Sequence, residues 1–258
     1  MTYPLRSPDS PSPSLPTSDN TRPAAIVTGG TAGIGLAAAR LFVDQGWRVL
    51  IVGRDQGRLN EALDQLGGLA QGCRADVGTT DGPSTIVAAC LKAFGRVDAL
   101  VNNAGVAPLV PLAHHTASLI EQCFATNAIG PAKLIIAAWP HLSVTRGRVV
   151  NVSSMATRDP YPGFFGYAAS KAGVELMVRS IAKEGVSAGI KAFAVAPGAT
   201  ETAMFRALFD ESTVPRGDVL DPTEVARLIV DCASGRRDDD NGQAIEITPP
   251  PPPDAPGQ

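Results

Sequence analysis

The sequence is short of charge of either sign, of cysteine and of long apolar runs, and each shortage removes a class of function. Only 18% of its 258 residues are charged and the formal net charge is −3. No basic face is available to meet a phosphate backbone, so nucleic acid is not an expected partner. No stretch approaches the roughly 18 uninterrupted apolar residues that a membrane-spanning helix requires, and the N-terminus lacks a charged start followed by an apolar core. No membrane partner and a cytoplasmic location are therefore expected. The four cysteines, Cys73, Cys90, Cys123 and Cys232, stand far apart, with no C-x-x-C pair and no histidine at ligand spacing beside them. They read as small buried apolar groups, and no metal site is expected. Adjacent side chains diverge on any regular element, so the His114-His115 pair suits a loop or cap better than a metal. The sequon Asn151-Val152-Ser153 falls in an apolar run typical of a buried strand, where a glycan has no room.

What is present is organised around proline at the ends and an alternating pattern between them. Six of the 22 prolines fall within residues 1–23 and six within residues 249–258. Both ends are too poor in large apolar residues to offset the entropy of ordering, so residues 1–22 and 249–258 are expected to be disordered, the run Pro249–Pro253 as a stiff polyproline II spur. Residues 23–248 then form one domain. Short apolar runs predict strands over Ala24–Val27, Arg48–Val52, Cys73–Asp76, Ala99–Asn102, Arg148–Val152, Lys191–Val195 and Ala244–Ile247. Helical periodicity fills the gaps at Ile34–Gln45, Gln56–Leu66, Thr80–Phe94, Leu119–Leu142, Tyr167–Val186 and Pro222–Cys232. The second strand, Val49-Leu50-Ile51-Val52, is apolar on both faces, as a sheet covered by helices on both sides requires. The fold class predicted is a doubly wound parallel α/β sandwich.

After the first strand comes Thr28-Gly29-Gly30-Thr31-Ala32-Gly33-Ile34-Gly35, followed by a good helix. Glycines there let the backbone turn tightly and approach a pyrophosphate, and the helix N-terminus offers unpaired N–H donors; a plain tight turn is the duller reading. Cofactor choice in such folds falls at the end of the second strand, where an acid pairs with a ribose 2′-hydroxyl. Here that end reads Gly53-Arg54-Asp55. The acid's place is held by glycine, and Arg54 carries a planar fork suited to a 2′-phosphate, so NADP(H) is expected over NAD(H). Asp55 would argue the other way, unless it caps the following helix.

Further on stand Asn102-Asn103-Ala104-Gly105, Asn127, Ser154 and Tyr167-Ala168-Ala169-Ser170-Lys171, with Tyr167 13 positions after Ser154. With the glycine loop, this ordered set resembles the short-chain dehydrogenase/reductase family, in its single-domain Rossmann-fold type, over residues 24–247. Tyr167 and Lys171 are four apart, which on a helix puts both on one face, so that the ammonium can lower the phenol's pKa while also reaching a bound ribose. Ser154 can hydrogen-bond a substrate oxygen where negative charge develops. The resemblance implies hydride transfer between a carbonyl and an alcohol, with Tyr167 as general acid/base and Asn127 holding a water that links Lys171 to solvent. It also implies cofactor contacts from Gly29, Thr31, Gly33, Ile34 and Gly35, and from Asp76 and Val77 ending the third strand at the adenine. Asn102, Ala104 and Gly105 are implied at the adenosine ribose and pyrophosphate, and Pro197, Gly198 and Thr202 beside the nicotinamide.

Two departures from the family pattern are visible. The last strand lacks the Asp-Gly-Gly ending that helps build a tetramer, so a homodimer through the helices carrying Asn127 and Tyr167 stands beside a homotetramer; Ile135, Ile136, Val174 and Met177 supply aliphatic surface. Ala32 stands where many NADP-preferring relatives have a basic residue, which leaves Arg54 to carry the preference. The motif Gly185-Val186-Ser187-Ala188-Gly189 fits a hydrolase pattern but sits where a helix ends and a strand begins, the wrong place for a nucleophile elbow. A non-catalytic NADP(H)-binding sensor is the alternative from another class, and isomerisation of a bound sugar a third. Phe164, Phe165, Met204, Phe205, Leu208 and Phe209 are expected to form an apolar lid, pointing to a moderately apolar ketone or alcohol, with an acyl-thioester ketone next.

Overall fold

The computed structural model describes residues 21–249, and the disorder expected of the two ends falls outside those residues except at 21, 22 and 249. Seven parallel strands form one sheet: β1 (Ala24–Thr28), β2 (Arg48–Gly53), β3 (Ala70–Arg74), β4 (Ala99–Asn102), β5 (Arg148–Val152), β6 (Lys191–Pro197) and β7 (Ala244–Ile247). Their order is β3-β2-β1-β4-β5-β6-β7. The chain therefore winds outward from β1 in one direction, returns, and winds outward in the other.

Alternation along each strand explains why the sheet is covered on both sides. In β1 and β2, Ala25, Val27, Val49 and Ile51 enter one core with residues of α1 (Gly33–Asp44), α2 (Gln56–Leu66) and the helix Pro222–Ala233. Their neighbours Ala24, Ile26, Leu50 and Val52 enter a second core with α3 (Gly82–Phe94), α5 (Gly130–Thr145) and α6 (Phe165–Glu184). Each fully buried Leu or Ile contributes about 2 kcal/mol of hydrophobic stabilisation. Doing so on both faces is what fixes the doubly wound arrangement.

Two predicted elements are corrected. The third strand is Ala70–Arg74, not Cys73–Asp76; it lies at the sheet edge, where Gln71 and Gly72 are exposed and the apolar signal is weak. The long helix expected over Leu119–Leu142 is interrupted: α4 (Ala117–Phe124) runs into a π-helical turn at Ala125–Ile129 before α5 continues. Ser187 sits in the turn between α6 and β6, at the end of the sheet remote from the strands' carboxyl ends, with no strand leading into it. That removes the hydrolase reading. Asn151 is fully buried, and all four cysteines are buried and free. Among the described residues no helix is long and apolar enough to cross a membrane.

Candidate active site

The switch between the two winding directions lies between β1 and β4, and the loops leaving their carboxyl ends are bolted together. Thr28 Oγ1 accepts from the backbone N–H groups of Asn103 and Ala104, both at 3.0 Å, and Asn103 Nδ2 donates to the carbonyls of Thr28 and Gly29 at 2.9 and 3.2 Å. Both loops open onto a cavity of about 920 Å³. A crevice at this point of a doubly wound sheet is where such folds take ligands.

At one end is the glycine cradle. Gly29 and Gly33 have φ of +65° and +51°, a region that side chains disfavour, and a Cβ at Gly35 would strike the carbonyl oxygen of Gly29. Helix α1 starts at Gly33 with no side-chain cap and no acid in its first turn, whereas Asp55, Thr116, Thr202 and Asp221 cap other helices. The N–H groups of α1 are left facing a cavity lined by Gly29, Thr31, Gly33 and Ile34, the geometry that suits a pyrophosphate. Gly35 lies beneath this lining. Arg54 and Asp76 border the same end, Arg54 Nη1 standing 3.7 Å from Asp76 Oδ2, with buried Val77 beside them. Asp55 accepts from Arg58 N at 2.9 Å and caps α2, and the Arg58 side chain joins the lining, a second guanidinium that the sequence reading passed over.

Placement of the other expected cofactor residues is mixed. Ala104, Gly105, Pro197, Gly198 and Thr202 line the cavity, and Thr202 packs against Gly33, its Cγ2 3.0 Å from where a Cβ there would sit. Asp76 and Val77 lie beyond the end of β3 rather than within it. Asn102 is not at the cavity: it is 4% exposed and donates to Asn151 Oδ1 at 2.9 Å, its partner across β4 and β5. Alternation along the strand sends Asn102 into the sheet and gives the cavity its neighbour Asn103.

Across the cavity, Tyr167 and Lys171 project from one face of α6 toward Ser154, which follows β5. Ser154 Oγ accepts from Ala156 N at 3.1 Å, which leaves its own proton for the Tyr167 oxygen or for a substrate oxygen in the cavity. Lys171 is 4% exposed, donates to the Val152 carbonyl at 2.7 Å and lies 5.9 Å from the centre of the Tyr167 ring. Burial lowers its pKa to about 8. The phenol of Tyr167 is pushed above its ordinary value by burial, with a hydrogen bond to Ser154 working the other way. The lowering of the phenol by its neighbouring ammonium, expected from spacing, is thus overridden: desolvation dominates, and the ammonium's hydrogen bond goes to a carbonyl.

Asn127 sits in the π-helical turn. Its Oδ1 accepts from Val106 N at 2.8 Å, and Nδ2 donates to the Val106 carbonyl at 2.9 Å and to Ser170 Oγ at 3.0 Å. Its side chain is therefore engaged in pinning the loop after Gly105 to α6. The substrate end is walled by Phe164 and by Phe205, Leu208 and Phe209. Tyr161, absent from the sequence reading, meets Phe209 edge-on at 5.2 Å, joining the two walls. Phe165 points elsewhere, exposed and edge-on to His115 at 5.8 Å.

Lys171 makes a stability prediction for the cofactor-free protein. The folded chain holds fewer protons than the unfolded chain between pH 8 and 10.5, so its cost is full below pH 8 and is relieved as pH rises through that window. Cys90 and Cys232, pushed up to about 12 by burial, act oppositely above pH 9. The unfolding free energy of wild type minus that of Lys171→Met should therefore rise by up to about 3 kcal/mol between pH 7 and 10.5. Parallel denaturation curves for the two proteins would contradict this.

Comparison with known proteins gives consistent findings. The family model described as short chain dehydrogenase matches residues 23–213. The 3-oxoacyl-(acyl-carrier-protein) reductase of Vibrio cholerae is 31% identical over 232 residues, 86% of this chain and 94% of that protein. L-fucose dehydrogenase of Mus musculus is 31% identical over 199 residues, covering 77% and 72%. A 3-ketoacyl-(acyl-carrier-protein) reductase from Brucella melitensis, solved in complex with NADH, superposes with a TM-score of 0.82 at 26% identity, over 87% of this chain and 96% of that one.

Proposed function

Because this chain belongs to the short-chain dehydrogenase/reductase family, and so is an oxidoreductase acting on CH–OH groups with a nicotinamide dinucleotide, we propose that it uses NADP(H) to interconvert a moderately apolar ketone and its alcohol. The observation that carries the reading is the convergence of Ser154, Tyr167 and Lys171 on one wall of a cavity whose other end is an uncapped helix N-terminus flanked by two arginines. When bound there, the dinucleotide supplies or accepts the hydride.

The chain's own residues supply the rest. Ser154 donates a hydrogen bond to the substrate oxygen and steadies the charge that gathers on it. Tyr167, protonated at neutral pH as a phenol ordinarily is, with burial acting in the same direction, gives its proton to that oxygen in reduction and takes it back in oxidation. Lys171, with a pKa of about 8, exchanges protons in the working range and can restore the phenol. Asn127 keeps the loop after Gly105 in register with α6 and thereby the proton path open beside Lys171.

For the phosphate, Arg54 and Arg58 offer two forks at the adenosine end, while Asp55 is occupied as a helix cap. Arg54→Ala should weaken NADPH binding by about tenfold to a hundredfold and leave NADH nearly unchanged, measured by titration of cofactor fluorescence. Equal losses for both cofactors would contradict the phosphate reading. The substrate wall supports an apolar body: a sugar would need several placed polar partners, and this wall is mostly aromatic and aliphatic. A homodimer is supported by Ile129, Ile136 and Leu176, exposed on the turn before α5, on α5 and on α6, whereas Ile135 and Val174 face the core. Residues 23–248 act as the single catalytic unit.

A further inference from the structure

Behind the Ser154 turn lies a buried carboxylate that the chemistry described so far does not use. Glu175 is four residues beyond Lys171 and eight beyond Tyr167, so the three side chains run along one face of α6. Its side chain is only 7% exposed. Glu175 Oε1 accepts from Ser153 Oγ at 2.7 Å and from Thr157 Oγ1 at 2.9 Å, and Oε2 accepts from Arg158 Nη1 at 2.8 Å. Thr157 Oγ1 also lies 2.8 Å from the Ser154 carbonyl, and Arg158 Nε reaches Glu246 on β7 at 2.7 Å. Every residue from Ser153 to Arg158 that carries a hydroxyl or a charge, apart from Ser154 itself, is thus gripped by this one carboxylate. Its negative charge is met by Arg158.

The geometry points to Glu175 as a positioning residue: through Ser153, Thr157 and Arg158 it fixes the turn that carries Ser154 to the same helix that carries Tyr167 and Lys171. The serine and the phenol must meet one substrate oxygen, and β5 and α6 are separate elements, so their relative placement needs a tie. A buried carboxylate with three donors is stiffer than packing alone, and a displacement of about 1 Å at such a site can cost about a hundredfold in rate.

This inference rests on the catalytic reading of Ser154, and a double-mutant cycle separates the two. Glu175→Ala should lower kcat by about tenfold to a hundredfold with the NADPH dissociation constant unchanged, and Glu175→Gln, which keeps an oxygen for both hydroxyls, should recover most of the rate. Glu246→Gln, which leaves Arg158 on Glu175, should match wild type. The deciding readout is that Ser154→Ala/Glu175→Ala turns over no more slowly than Ser154→Ala, because the two act as one unit. If the two losses multiply, or Glu175→Ala has full kcat, Glu175 does not work through the serine and the inference is overturned. Should Glu175→Ala fail to fold, Thr157→Val cuts the tie to the Ser154 carbonyl and enters the same cycle with the same expected result. A fully active Ser154→Ala would instead remove the catalytic reading itself.

Discussion

Tyr167→Phe is expected to lower kcat by about a hundredfold to ten-thousandfold while the affinity for NADPH stays within about twofold, because the change deletes one proton and one oxygen from a wall that otherwise keeps its shape. The phenol is the group on that wall that keeps its proton at neutral pH and whose oxygen is hydrogen-bonded to the serine that shares its target. Phenylalanine preserves the ring contact with Phe164 at 5.0 Å, so substrate binding should change little. Steady-state turnover with a saturating ketone, set beside a direct NADPH titration, separates the two effects. A variant that kept more than about a tenth of the wild-type kcat would require a different proton donor.

The second large effect is expected at the opposite end of the cavity. Gly35→Ala places a Cβ against the Gly29 carbonyl oxygen and within 2.5 Å of Asn103 Nδ2, two backbone-anchored groups with no room to retreat. Relief requires the cradle to move, and with it the N–H groups of α1 that face the cavity. Losing even two charge-assisted hydrogen bonds would weaken NADPH binding by at least about a hundredfold. Gly217→Ala, whose new Cβ meets nothing within 4 Å, is the matched control and should bind as wild type does. Isothermal titration of both variants with NADPH reads the difference. Equal affinities would mean that the cradle tolerates a side chain and is not shaped for a close-approaching phosphate.

The central strands were legible in the sequence because their apolar runs are continuous. Val49–Val52 has no solvated face, and its burial in two cores follows from that alone. Edge strand β3 was misplaced by three residues for the converse reason: half of its side chains are solvent-facing and carry no apolar signal. Periodicity also missed the π-helical turn at Ala125–Ile129, since one extra residue per turn changes phase without changing composition. That turn is what aims Asn127 at Val106 and Ser170.

At the site, spacing along one helix was enough to align Tyr167 with Lys171, but it could not give the sign of the phenol's shift, which depends on how much water the whole fold removes. The choice between Asn102 and Asn103 hung on the phase of β4, and Arg58 entered the cavity only because Asp55 starts α2 where it does. The Glu175 tie was invisible for a related reason. It joins residues 22, 18 and 17 positions apart, and only the packing of α6 on β5 brings them together.

One experiment addresses the proposed reaction most directly: incubation with NADPH deuterated at nicotinamide C4 and a panel of apolar ketones, with mass spectrometry of the alcohols formed. Deuterium on the carbinol carbon, at a rate lost in Tyr167→Phe and greater than with equally labelled NADH, is the expected result. Tight NADPH binding with no deuterium transferred to any ketone of the panel would contradict it, and would favour a protein that senses the dinucleotide without turning it over.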